Sequence, residues 1–157
     1  MTKSLIFSSL VAVALGALVA FFLLQPPKYQ PSTTGLLKPG NLELVAAGEL
    51  IYVQSCAACH GVDLQGQDNW RSPDEEGFLP APPHDESGHT WHHRDELLIE
   101  LTKFGAGSFA GENFKTRMPQ FDGILSDNEI IAVLSYIKST WPQEIQQRSD
   151  ELNKSPQ

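Results

Sequence analysis

The strongest pattern in this 157-residue chain lies at its start, where Leu5 through Leu24 is interrupted only by Ser8, Ser9 and Gly16. At about 1.5 Å per residue such a run makes a helix of about 30 Å, the hydrocarbon thickness of a bilayer. No face of it is polar, so the pattern predicts a spanning helix and not an amphipathic one. A cleaved secretory signal would have a shorter apolar region followed by small residues, whereas Gln25-Pro26-Pro27 follows here. Lys3 and the terminal amine precede the run without an acid, which places the amino terminus in the cytoplasm and everything after Leu24 in the periplasm. The expectation is a single-pass protein of the inner membrane, anchored by residues 1–24.

Beyond the run the pattern changes twice. Residues 25–40 hold Pro26, Pro27, Pro31 and Pro39 among Ser, Thr and Gly, a composition that buries little and stays extended, so they are expected to form a tether. From residue 41 helical periodicity takes over. Asn41 can cap a helix with Leu44, Ala47, Ile51 and Tyr52 on one face and Gly48 beside them. A further helix is expected from Arg94 to Phe104, closed by Gly105. The last is the best marked. Ser126-Asp127-Asn128-Glu129 reads as a capping box, Ile130, Val133, Leu134 and Ile137 form the stripe, and Pro142 ends it. Residues 143–157 read as a polar C-terminal tail.

Composition changes this picture in one respect. Of the apolar residues, 18 fall in the first 24 positions and 46 in the other 133, so the rest of the chain is only about 35% apolar, thin for a domain of that size. A non-protein group is expected to fill part of the core. From Gln25 onward 10 Lys and Arg face 19 Asp and Glu, and this acidic balance excludes a nucleic-acid partner.

The only two cysteines stand in Cys56-Ala57-Ala58-Cys59-His60, the Cys-x-x-Cys-His signature of c-type haem attachment. Thiols three residues apart project from one side of a helical turn, where each can add to a porphyrin vinyl group, and His60 then offers a nitrogen to the iron. A redox dithiol would want a preceding strand, structural zinc would want a second ligand pair, and a plain disulfide would leave His60 and the thin core unexplained.

On these residues the segment 41–142 resembles a class I, monohaem cytochrome c of the membrane-anchored bacterial type. The pairing of Gly48 with Tyr52 on the first helix and Tyr136 on the last matches the family's crossing of those helices. The resemblance implies an all-α fold of three to four helices around one covalent haem, here preceded by one transmembrane helix. It also implies His60 as proximal ligand and Met118, in Arg117-Met118-Pro119-Gln120-Phe121, as distal ligand. Pro119 restrains the Met118 backbone, and a thioether can bind iron from an extended loop. Bis-histidine ligation by His84, His89, His92 or His93 is the rival. In the family a proline carbonyl fixes the proximal His, and Pro80, Pro82 and Pro83 are candidates; Trp70, Trp91, Asn113 and Arg117 are candidates for the propionates.

One tract departs from the family. Residues 83–93 pack His84, His89, His92 and His93 with Asp85 and Glu86. A second metal site, for copper or zinc, is one reading; a solvated polar loop leading into the helix at Arg94 is the other and the favoured one. The expected function is electron carriage, since an iron with protein ligands on both faces has no site for a small-molecule substrate. The alternatives are a haem enzyme or oxidoreductase subunit, and a copper-handling redox protein. The acidic surface predicts redox partners with a basic docking patch.

Overall fold

The computed structural model describes residues 35–109 and 114–154. Five helices occupy them: α1 (Leu42–Ser55), α2 (Ala57–His60), α3 (Asp95–Phe104), α4 (Asp127–Thr140) and α5 (Gln143–Lys154). Two single turns of 3-10 helix precede and follow α3, at Thr90–His92 and Ala106–Ser108. No strand is present among the described residues, and one isolated parallel bridge joins Leu79 to Thr116.

The caps explain the helix starts. Asn41 accepts from the Leu44 amide at the head of α1, satisfying one of the orphan N–H groups there. At α4 the Ser126 hydroxyl and Glu129 carboxylate close the reciprocal box expected from the sequence. Pro142 both stops α4 and opens α5, because it has no N–H to donate but its carbonyl accepts from Ile145 and Gln146.

Helices α1 and α4 cross closely, and the crossing is made by the residues that lack or offer bulk. Gly48 is buried, and a Cβ there would overlap the Ala132 carbonyl and touch Tyr136 Cβ. Next to it Tyr52 is fully buried, with its ring 5.5 Å from that of Tyr136. Ile130, Val133, Leu134 and Ile137 bury the stripe of α4, joined by Leu98 from α3 and Ile145 from α5.

Three expectations are corrected. The span Leu5–Leu24 lies outside the described residues, and among the described residues no helix is long and apolar enough to cross a membrane. The all-α fold is seen among the described residues alone, and the single-pass inner-membrane location drawn from that span is not supported. The end of the 25–40 segment is no tether: Leu37 is 1% exposed, its amide donates to Asp95 Oδ2, and the Lys38 amide donates to Ser135 Oγ. Residues 143–154, expected as a polar tail, form a helix that buries Ile145, Ser149 and Asp150.

These last two contacts meet at a buried ionic knot. Lys138 Nζ lies 2.8 Å from Asp150 Oδ1 and 3.6 Å from Asp95 Oδ1, with Lys138 1% and Asp95 0% exposed. Asn153 bonds Asp95 twice, donating from Nδ2 to Oδ1 and accepting from the Asp95 amide. Side chains from α3, α4 and α5 and the strip at Leu37 are thus tied at one point.

Candidate functional site

The Cys56–His60 motif sits where α1 breaks into α2. Cys56 caps both helices with φ −121°, and the chain turns there so that Ala57 and His60 face inward while Cys59 is exposed. No disulfide joins the two cysteines. Burial, with a smaller contribution from Cys59, pushes the Cys56 thiol up to about 11, so it stays protonated at neutral pH.

His60 is 7% exposed, and its ring is placed by a single polar contact: Nδ1 lies 2.9 Å from the Pro82 carbonyl oxygen. A carbonyl can only accept, so Nδ1 carries the proton and Nε2 keeps its lone pair. Burial lowers the His60 pKa, partly opposed by that hydrogen bond, and keeps the ring in the neutral form that a metal requires. Of the three candidate prolines, Pro82 supplies the carbonyl. Its position is fixed from below by Gly66, at φ +69°, where any Cβ would run into the Pro82–Pro83 backbone. The Tyr52 hydroxyl donates to the Gly61 carbonyl at 2.8 Å and ties the end of the motif to the helix crossing.

The residues present fit a covalent haem. Two thiols spaced three apart on a helical turn, followed by a neutral imidazole with Nε2 available, are the donor set that the group needs.

Met118 lies on the loop before α4 and is half-buried, its amide donating to Thr116 Oγ1. The loop is fastened on both sides. Upstream, the Arg117 guanidinium forks to Asp74 Oδ2 at 2.6 Å and Glu76 Oε2 at 2.7 Å and lies 4.0 Å over the Phe78 ring. Downstream, the buried Phe121 bonds through its amide to the carbonyl end of α3. The Arg117 hydrogen bond holds the Asp74 carboxyl below its ordinary range.

The histidine tract does not converge. His84 stacks on His60, His89 lies against Trp70, His93 meets His89 edge-on, and His92 stacks on Trp91. Among the described residues no three His, Cys, Asp or Glu side chains group as a metal site. His92 and His93 lead through the turn Thr90–His92 into α3, with Arg94 at its cap. Of the candidates for the propionates, Arg117 is committed to Asp74 and Glu76, Trp91 donates to the Glu86 carbonyl, and Trp70 stacks with His89 and lies against the Arg71 guanidinium. Asn113 lies outside the described residues.

Sequence reasoning missed two features. The contact of His84 with His60 could have been suspected only from its place two residues after Pro82. The ionic knot had no signal, since Asp95 and Lys138 read as surface charges on helices and Asp150 lay in the segment expected as a polar tail.

No curated protein and no solved structure matches the chain. The family model for Cytochrome c matches residues 45–141, a segment that runs from the first turn of α1 through the end of α4 and includes Cys56, Cys59, His60 and Met118. That match covers most of the chain and joins an all-α fold to the Cys-x-x-Cys-His turn, so the protein belongs to the cytochrome c family, with covalent haem c as its cofactor and haem-based electron transfer as its chemistry.

Proposed function

We propose that this chain is an electron carrier in which Cys56 and Cys59 hold the haem by thioether links, His60 binds the iron through Nε2 and Met118 binds it from the other face. The observation that carries the reading is the Pro82 carbonyl on His60 Nδ1, which leaves only Nε2 for a metal and aims it away from the proline loop. When bound, the haem iron supplies a one-electron couple. The chain's own residues do the rest. Pro82 and Gly66 hold the proximal imidazole, the Arg117 fork and Phe121 hold the Met118 loop, and the helix crossing at Gly48 keeps the motif's base rigid.

The partners in this reading are redox proteins with a basic docking patch. The chain carries a formal net charge of −8, which steers a basic partner towards it and makes association slow as salt rises. The test is the spectrum of the haem-loaded protein. A weak sulfur-to-iron charge-transfer band in the oxidised form, lost in Met118→Ala, together with no rapid carbon monoxide binding by the reduced wild type, is the expected result. Absence of that band in the wild type, or fast carbon monoxide binding, overturns Met118 as a ligand and promotes an open-site haem enzyme.

A further inference from the structure

His84 is the one histidine of the tract whose surroundings the electron-carrier reading leaves unexplained. Its ring lies parallel to that of His60, centroids 4.0 Å apart and planes inclined by 21°. Three contacts hold it there. The His84 amide donates to the Leu64 carbonyl at 2.7 Å, the buried Trp141 indole donates to the His84 carbonyl at 2.7 Å, and ring Nδ1 lies 2.9 Å from the hydroxyl of the buried Thr90. The Tyr52 ring meets it edge-on at 6.3 Å. This is more fixing than a packing side chain needs.

The physical need for it lies in His60. One hydrogen bond from Nδ1 to Pro82 sets the mean plane of the imidazole, but its angular tolerance leaves a range of rotation about the Cβ–Cγ bond. A contact over the ring face removes that rotation, and only a flat neighbour selects a plane; an aliphatic side chain fills the space without choosing one. Both contacts come from one short strip, since His84 follows Pro82 by two residues and the intervening Pro83 is packed on Gly66 and Gly88.

We propose that His84 is a positioning residue for the proximal ligand, fixing by face-to-face stacking the plane in which His60 presents Nε2. The proposal rests on the reading of His60 as the iron's proximal ligand. It gives the histidine tract a part to play at the haem without a second metal.

The experiment compares oxidised, haem-loaded His84→Phe, His84→Leu and Thr90→Val by proton NMR of the paramagnetically shifted haem methyl groups, whose spread and order follow the orientation of the axial imidazole. The expected result is a wild-type methyl pattern in His84→Phe, which keeps a flat ring, and a reordered pattern in His84→Leu, which keeps bulk alone. Thr90→Val, which releases ring Nδ1 without touching the loop, should move the pattern in the same direction by less and covers the case in which His84→Leu does not mature. Methyl patterns unchanged in His84→Leu, or unchanged in Thr90→Val where the leucine variant yields no protein, overturn the proposal while the low-spin optical spectrum leaves His60 ligation standing. A His60→Ala protein with the wild-type optical spectrum overturns both.

Discussion

Two sets of ion pairs in this molecule use the same chemistry in opposite surroundings. Lys138 with Asp95 and Asp150 is sealed among three helices, whereas Arg117 with Asp74 and Glu76 lies at the surface, with half of the Arg117 side chain in water. In the knot, attraction is strong and desolvation is costly, so the one ammonium is shared by two carboxylates and Asp95 takes further hydrogen bonds from Leu37 and Asn153. In the fork, water and salt screen the attraction, and the pairs direct a loop more than they stabilise a fold. The difference follows position: the knot locks α3, α4 and α5 to the strip at Leu37, and the fork steadies the segment bearing Met118.

The largest expected effect comes from breaking the knot on one side. Lys138→Ala strands two buried carboxylates and should cost about 3–5 kcal/mol, read by denaturant unfolding of the haem-loaded protein. Removing every charge together sharpens the point: Lys138→Met with Asp95→Asn and Asp150→Asn should regain most of that loss. A triple variant no better than Lys138→Ala would show that the contribution is hydrogen bonding to Leu37 and Asn153 and not charge balance.

Arg117→Gln should leave the unfolding midpoint almost unmoved, yet speed carbon monoxide binding to the reduced protein as the Met118 loop loosens. A large fall in stability without faster binding would place the fork with the knot. Salt should act in the same way: at 1 M, where charges are screened beyond about 3 Å, wild-type protein should approach the Arg117→Gln rate while the buried knot is unaffected.

The pH response should separate the fork from the histidines. Asp74 has its folded pKa below the ordinary 3.8, so the stabilisation it gives is complete above that value and lost as pH falls through the lowered one. The exposed His89 and the half-buried His93 are lowered from 6.5, chiefly by desolvation, so their neighbourhood is fully stable above about 6.5 and weakens as pH falls from there. Between these windows the charge-transfer band should persist while the Trp70 fluorescence changes.

What could be read from the sequence was local. The Asn41 cap, the Ser126–Glu129 box and the Gly48–Tyr52 spacing each lie within one or two helical turns, where capping and periodicity leave a signature. Pro82 was one of three candidates because a carbonyl on His60 depends on how the chain returns, which local spacing does not encode. Leu37 and Lys38 looked like linker because their partners, Asp95 and Ser135, stand far along the chain. Residues 143–154 looked like a tail because a helix packing through Ser149 and Asp150 shows no apolar stripe. The tract at His84 to His93 left a metal site and the favoured polar loop both open, because density alone does not say that His84 stacks on His60, His89 on Trp70 and His92 on Trp91.

The most direct test of the whole account is the mass of the haem-loaded chain after acid acetone treatment and denaturation, compared with Cys56→Ala and Cys59→Ala. One haem retained per polypeptide, with no titratable thiol in the wild type and one attachment lost in each variant, is the predicted result. Haem that leaves with the solvent, or wild-type protein in which Cys56 and Cys59 still react as free thiols, would contradict it.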